Sequence, residues 1–210
     1  NENFDCFVIP LADAFRENFV NELNELTSFV KKLKIPCYVI GVGLKESYEP
    51  DFSQPKPQDE AVKKFVTAVL EKSNCIGVRG ELTGKYLETL GFAEGRDFMV
   101  IGCPSMYMKG KRLHIQNPKL DVNSKVCFNS NVAASVPTRK FIKLKMKEFE
   151  NHYFIGQVVN ELRSIYLGAP YEYKIEYNFR NVTDKIYQDG RLRFFCNVPK
   201  WMEFLNDSDL

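Results

Sequence analysis

The segment Asn74–Tyr107 constrains the fold more than any other part of the chain. It begins with a short apolar run, Cys75–Val78, and continues with a helical pattern that stops at Gly91. A second apolar run, Phe98–Ile101, comes next. The order strand, turn, helix, strand is typical of a βαβ unit, so we predict two parallel strands joined by a helix.

Arg79 stands where the first strand of this unit meets its helix, beside Gly80 and Glu81. Ligands of open parallel sheets bind outside the carboxyl ends of the strands, and a helix N-terminus favours anions. The planar guanidinium of arginine donates two parallel hydrogen bonds to phosphate or carboxylate. We therefore predict that Arg79, Gly80 and Glu81 bind an anionic substrate. The open alternative is a surface ion pair of Arg79 with Glu81 or Glu60.

Strands and helices alternate through both halves of the chain. In the first half the apolar periodicity predicts, ahead of the βαβ unit, a strand at 6–9, a helix at 17–33, a strand at 37–42 and a helix from 59 to about 72. In the second half it predicts strands at 125–128, 152–156 and 192–198, and helices at 138–151, 158–167, 182–188 and 200–205. This rhythm predicts an α/β fold with parallel sheets. We place a first domain at 1–112, a linker at 113–124 and a second domain at 125–210.

Polar side chains at other predicted strand ends are further candidates for binding substrate. Asp13 follows the first strand, Ser105 follows the last strand of the first domain, and Asn129 and Gln157 follow strands of the second. Helix capping is the alternative for Asp13, and a simple Asx turn is the alternative for Asn129.

Three other groups of residues are candidates for catalysis or cofactor binding. Cys103 is a candidate nucleophile, although a buried, inert thiol is the favoured interpretation because no histidine is near it in sequence. His114 and His152 are the only histidines, and we interpret both as surface residues. Gly41-Val42-Gly43 lacks a third glycine at dinucleotide-binding spacing and precedes a proline-rich loop, so we interpret it as a tight turn.

Composition excludes several classes of protein. The net charge of the 210 residues is +2, whereas nucleic-acid-binding proteins usually carry a strongly basic face. No run approaches the roughly 18 apolar residues of a membrane span, and we expect no signal peptide from the residues at the start of the sequence. Six cysteines without a CxxC pair and two histidines do not suggest a metal site. We expect no metal, no cofactor and a reducing, cytoplasmic compartment.

Several segments, taken together, resemble the polysaccharide pyruvyl transferase family. In the first half these are IPLADAFRENF, KKLKIPCYVIGVGL, SNCIGVRGELTGKYLETLG and DFMVIGCPSMYM. KVCFNSN, YFIGQVVNEL and WMEFLNDSDL are similar to the family's second half. The resemblance covers most of the chain and is most specific over residues 35–107.

The resemblance implies two Rossmann-like domains that face each other across a cleft, as in GT-B glycosyltransferases. It implies transfer of pyruvate from phosphoenolpyruvate to two hydroxyls of a sugar, which gives a ketal and phosphate. Acceptors of this kind are cell-wall or capsular exopolysaccharides or their lipid-linked precursors, which would bring the enzyme to the inner face of the membrane. Arg79 matches the strand-end arginine expected to bind phosphoenolpyruvate.

The chain departs from the family at its end. The family continues into an Arg-x-His-Gly turn whose histidine is the expected general acid, whereas this sequence stops at Asp209-Leu210. We therefore expect a chain incomplete at both ends and assign no catalytic residue. The alternatives are a GT-B glycosyltransferase that uses a nucleotide sugar, or a non-catalytic fragment of either enzyme.

Overall fold

The chain is a mixed α/β protein with short parallel sheets, as its sequence predicts. The structure, a computed structural model, describes residues 4–47, 49–108, 110, 117–130, 135–156 and 188–209. Two compact units are present, Asn1–His114 and Ile115–Leu210. The GT-B-like arrangement of two Rossmann-like domains across a cleft stays a prediction.

The first unit contains four strands and three helices among its described residues. The strands are β1 (Phe7–Pro10), β2 (Cys37–Ile40), β3 (Ile76–Val78) and β4 (Phe98–Val100). The helices are α1 (Val20–Lys32), α2 (Asp59–Leu70) and α3 (Glu81–Thr89), and 3₁₀ turns lie at Glu17–Phe19 and Pro104–Tyr107. β1 pairs in parallel with β2, and β3 pairs in parallel with β4. A parallel bridge between Val42 and Val78 joins β2 to β3, so the carboxyl ends of all four strands share one edge.

One face of this sheet packs against the three helices. Alternate strand residues such as Val39, Ile76 and Phe98 are buried with apolar side chains of α1 and α2 in one continuous core. Each fully buried side chain of this size contributes about 1.5–3 kcal/mol to folding. The apolar spacing of α2 predicts Val62, Phe65, Val66 and Val69 on its inner face. The structure confirms this prediction, because all four are fully buried.

The other face of the same sheet is more exposed. Val8, Tyr38 and Met99 point to this side and are 46, 43 and 54% exposed. Gly77 lies between them, and a Cβ added there would be 2.3 Å from Cδ1 of Ile101. Parallel sheets are normally covered on both faces, so the described residues of this unit leave an apolar face uncovered.

The apolar spacing of α1 and α3 predicts that Phe29 and Leu82 lie in the core, and both predictions are wrong. Phe29 of α1 is exposed and packs edge-on against the ring of Phe7, with 5.1 Å between the ring centroids. Leu82 of α3 is also exposed, because Gly84 turns toward the sheet instead. A Cβ at Gly84 would lie 3.0 Å from the ring of Phe98, so glycine allows α3 to approach β4 closely.

The second unit contains three strands and two helices among its described residues. The strands β5 (Val126–Phe128), β6 (His152–Gly156) and β7 (Leu192–Phe194) pair in parallel in the order β5-β6-β7. The helices are α4 (Val136–Met146) and α5 (Val198–Asn206). Ser135 and Asn197 cap these helices by accepting hydrogen bonds from the backbone amides of Thr138 and Lys200.

Some predicted boundaries of the second unit are wrong. The helix predicted at 138–151 ends at Met146, and the strand predicted at 192–198 ends at Phe194 because Asn197 already begins the next helix. The helix predicted at 158–167 and most of the one predicted at 182–188 lie outside the described residues.

Candidate anion-binding site

Arg79 extends from the carboxyl end of β3 and is exposed. Its backbone amide donates to the carbonyl of Val42, 2.8 Å away, which ties the position to the end of β2. In the described part of the chain its guanidinium forms no ion pair, neither with Glu60 nor with Glu81. The surface ion pair considered from the sequence is therefore wrong, and the cation is available to a ligand.

Gly43 supports the side chain of Arg79, and sequence reasoning missed this role. A Cβ built at Gly43 would lie 3.7 Å from Cβ and 3.8 Å from Cδ of Arg79, and 3.3 Å from the carbonyl oxygen of Ala12. The aliphatic part of Arg79 thus crosses a backbone that carries no side chain. The only signal in the sequence is the second glycine of Gly41-Val42-Gly43, and the sequence alone indicates a turn there.

The N-terminus of α3 lies next to Arg79. Gly80 is the N-cap residue, and its carbonyl accepts hydrogen bonds from the amides of Thr83 and Gly84. No side chain caps the helix, and the first amides of a helix have no acceptor within it. Glu81 is exposed in the first turn. The amides and the arginine together form a concentration of positive partial and full charge.

Cys103 and Ser105 follow β4 on the same edge. The Cys103 Sγ lies 3.0 Å from the Ser105 Oγ. Hydrogen bonds from the side chain and backbone of Ser105, together with the charge of Arg79, lower the pKa of the Cys103 thiol below its usual value. The interpretation of Cys103 as a buried thiol is wrong, because Gly102 has φ +78° and turns the chain away from the core, leaving the thiol half-buried.

Pro104 holds this segment against the end of β2. A Cβ at Gly41 would lie 2.4 Å from Cδ of Pro104, so only glycine fits there, and Gly41 also has φ +73°. The loop after β4 is therefore packed over the loop after β2, which brings Cys103 toward Arg79.

Asp13 lies farther along the same edge and is paired. Its carboxylate is 2.7 Å from a guanidinium nitrogen of Arg16. Partial burial works to raise the pKa of Asp13, but its own backbone hydrogen bond and the charges of Arg16 and Lys45 outweigh burial and lower it. Ala12, the residue before Asp13, touches Gly43 through its carbonyl, so Asp13 belongs to the same edge as Arg79.

The remaining candidates lie elsewhere. Asn129 is exposed after β5 in the second unit, and Gln157 and His114 lie outside the described residues. His152 begins β6, at the opposite end from a ligand-binding edge, and its Nδ1 is 2.7 Å from the carbonyl of Phe149. Within the described ranges no group of His, Cys, Asp and Glu could hold a metal ion, and no helix is long and apolar enough to cross a membrane.

The fold and this site define a parallel α/β protein with an arginine at a strand end, beside a helix N-terminus. A family model described as polysaccharide pyruvyl transferase matches residues 5–207, which is nearly the whole chain. The chain therefore belongs to the polysaccharide pyruvyl transferase family, a family of transferases. No curated protein and no solved structure gives a significant match to the chain.

Proposed function

We propose that this protein transfers the pyruvyl unit of phosphoenolpyruvate to a glycan, where it forms a ketal with two hydroxyls of one sugar. The observation that carries the proposal is the exposed guanidinium of Arg79, which has no carboxylate partner among the described residues and lies at the N-terminus of α3. Phosphoenolpyruvate carries a phosphate and a carboxylate, and either group suits an arginine fork and free helix amides.

The reaction balances without an oxidant or a cofactor. The methylene carbon of phosphoenolpyruvate gains a proton and becomes a methyl group, while two sugar hydroxyls form bonds to the neighbouring carbon. The C–O bond to phosphate breaks, and phosphate leaves with the second hydroxyl proton. Arg79 and the α3 amides would hold the phosphate and stabilise the charge that collects on it as that bond breaks.

The other predicted residues have assigned places in this proposal. Ser105 would donate to the bound anion from the loop after β4, and Asp13 and Glu81 would accept hydrogen bonds from sugar hydroxyls. Asn129 and Gln157 would contribute further side chains to substrate binding. The glycan acceptor would be a cell-wall or capsular polymer or its lipid-linked precursor.

We also propose a cytoplasmic location. All six cysteines are free thiols, although several are exposed or half-buried. Free thiols of this kind persist in a reducing compartment.

The proposal is tested by phosphate release from phosphoenolpyruvate with and without a wall or capsular polysaccharide. We expect release that depends on the polysaccharide, a new ketal methyl signal in the NMR spectrum of the product, and loss of both in Arg79→Met. Equal release by Arg79→Met would contradict the assigned role of this residue. Thermal stabilisation by UDP-sugars, with no response to phosphoenolpyruvate, would instead favour a nucleotide-sugar glycosyltransferase.

A further inference from the structure

A cavity lies on the same sheet edge as Arg79, beyond the ends of β1 and β2. It is an open cavity of about 540 Å³ between the segment after β1 and the proline-rich loop that precedes α2. Its polar lining includes Arg16, Lys45, Glu46, Lys56 and Gln58. The loop that forms its outer wall contains no helix or strand among its described residues. It is held by a hydrogen bond from the side chain of Gln58 to Glu46 and by one from the backbone amide of Lys56 to the carboxylate of Asp59.

The cavity is lined by equal numbers of cationic and acidic side chains, whereas the Arg79 guanidinium forms no ion pair in the described part of the chain. Three cationic and three acidic side chains line it. Arg16 is already paired with Asp13 at 2.7 Å, and Lys56 is paired with Glu46 at 3.3 Å. To bind Arg16 or Lys56, a phosphate or carboxylate would have to displace these carboxylates, whereas a neutral ligand with many hydroxyl groups could bind beside them.

Arg16 also has a hydrogen-bond donor without an acceptor. Its Nε is buried and has no partner among the described residues, although its guanidinium lies over the ring of Phe19 at 5.1 Å from the centroid. The Arg16 side chain as a whole is 26% exposed and lines the cavity, so a ligand hydroxyl would reach its guanidinium there. Gln58 is only 2% exposed, and its side-chain amide donates to Glu46, so its orientation is fixed at the cavity wall.

The cavity and the Arg79 site are connected through one short segment. Gly43 contacts the stem of Arg79, and Lys45, two residues later, lines the cavity. The amide of Lys45 donates to the carbonyl of Phe15, 3.1 Å away, and the amide of Leu44 donates to the hydroxyl of Thr83, 3.0 Å away. Two residues span at most about 7 Å, so ligands in the two sites would be neighbours.

We propose that this cavity binds a neutral sugar ring of the acceptor, with Arg16, Lys45 and Gln58 as hydrogen-bond partners of its hydroxyl groups. The inference rests on the proposed pyruvyl transfer. It adds that the acceptor binds in this cavity and that the sugar bound there is uncharged. Phosphoenolpyruvate at Arg79 and a sugar hydroxyl from the cavity would then meet at the end of β2.

The test measures binding of two ligands to the full chain separately. Phosphoenolpyruvate is titrated by calorimetry, and the p-nitrophenyl β-glycosides of glucose, galactose and N-acetylglucosamine are titrated by NMR with saturating phosphoenolpyruvate present. Arg16→Lys keeps the charge that pairs with Asp13 but removes the planar set of guanidinium donors. Lys45→Met changes an exposed residue with little risk to folding. Lys64→Met, on the exposed side of α2, is the matched control.

We expect at least one glycoside to bind, and each cavity variant to raise its Kd about tenfold, the value of one hydrogen bond to a charged group. The Kd of phosphoenolpyruvate should not change in any of these variants, and Lys64→Met should match the unaltered chain. Glycoside binding that is absent, or equal in all variants, would overturn the inference. Failure of phosphoenolpyruvate to bind would overturn the proposed function instead, so the two failures are distinguishable.

Discussion

The stem of Arg79 lies across the bare backbone of Gly43, so the residue that follows β3 is supported by a glycine that follows β2. The backbone amide of Arg79 also donates to the carbonyl of Val42, the residue before Gly43. Neighbouring strand ends therefore fix both the backbone and the first part of the side chain of the arginine. The guanidinium is held in position while it stays exposed.

Gly43→Val should weaken phosphoenolpyruvate binding about tenfold, because the new methyl groups would occupy the space of the Arg79 stem, at a cost of about 1–2 kcal/mol in stability. Gly43→Ala should have an intermediate effect, since its Cβ would lie 3.3 Å from the carbonyl oxygen of Ala12. Calorimetry gives the affinity and urea unfolding gives the stability. Unchanged affinity in Gly43→Val would show that the contact does not position Arg79.

Gly41→Ala should destabilise the protein by about 2–4 kcal/mol, because it combines a left-handed backbone with a steric clash. Gly41 has φ +73°, and its added Cβ would lie 2.4 Å from Pro104. The double variant Gly41→Ala with Pro104→Ala should recover the steric part of this loss and leave the backbone part. Urea unfolding measures the free energy of unfolding of both single variants and of the double variant. If the losses of the single variants simply add in the double variant, the two loops are not in contact.

Cys103 should react with iodoacetamide at a lower pH than the thiols of Cys37, Cys75 and Cys127. Hydrogen bonds from Ser105 and the charge of Arg79 lower the pKa of Cys103, whereas burial raises the pKa of the other three. A lowered pKa means more thiolate at neutral pH and faster alkylation. Mass spectrometry of the alkylated peptides measures the rates.

Two changes should slow that reaction at neutral pH. Ser105→Ala removes the hydrogen bond between the serine side chain and Cys103, and bound phosphoenolpyruvate neutralises Arg79, so each should shift the pH profile of Cys103 upward. A profile that moves with Ser105→Ala but not with phosphoenolpyruvate would place the anion away from Arg79.

Tyr86→Phe should cost about 1–3 kcal/mol, because it removes the hydrogen bond between the buried Tyr86 hydroxyl and the half-buried carboxylate of Asp59, which also accepts from the backbone amide of Lys56. The Tyr86 hydroxyl donates to Asp59 at 2.7 Å and joins α3 to the start of α2. Burial and Asp59 raise the pKa of this tyrosine, so the folded state cannot release the proton that the unfolded chain loses above about pH 10. The stabilisation by Tyr86 is therefore complete at neutral pH and falls as the pH rises above about 10.

Urea unfolding at neutral pH measures the stability that Tyr86→Phe loses, and unfolding at increasing pH up to 11 measures how the contribution of Tyr86 depends on pH. The unaltered protein should lose stability more steeply above pH 10 than Tyr86→Phe, which has no phenol to ionise at this position. Parallel curves would show that the buried hydroxyl does not contribute to the pH dependence.

The sequence was enough to predict the parallel α/β class and the place of Arg79. Apolar runs of strand length alternate with helical periodicity, and this pattern depends only on local side chains, so β6 has the predicted bounds 152–156. Arg79 is found at a strand end because the residue directly follows an apolar run and precedes a helix.

Tertiary contacts explain what the sequence did not predict. The exposure of Leu82 follows from Gly84, which faces the Phe98 ring, and the role of Gly43 follows from a strand far away in sequence. The cavity at Arg16 depends on how the long loop folds back, and no local pattern encodes that path.

Calorimetric titration of phosphoenolpyruvate into the unaltered chain, Arg79→Met and Arg79→Lys tests the central claim most directly. Arg96→Met is the matched control, because Arg96 pairs with Asp97 at the amino end of β4, away from the ligand edge. We predict that Arg79→Met weakens binding about a hundredfold or more, that Arg79→Lys restores only part of the loss because it keeps the charge without the planar fork, and that Arg96→Met has no effect. Equal affinity in Arg79→Met and the unaltered chain would contradict the account.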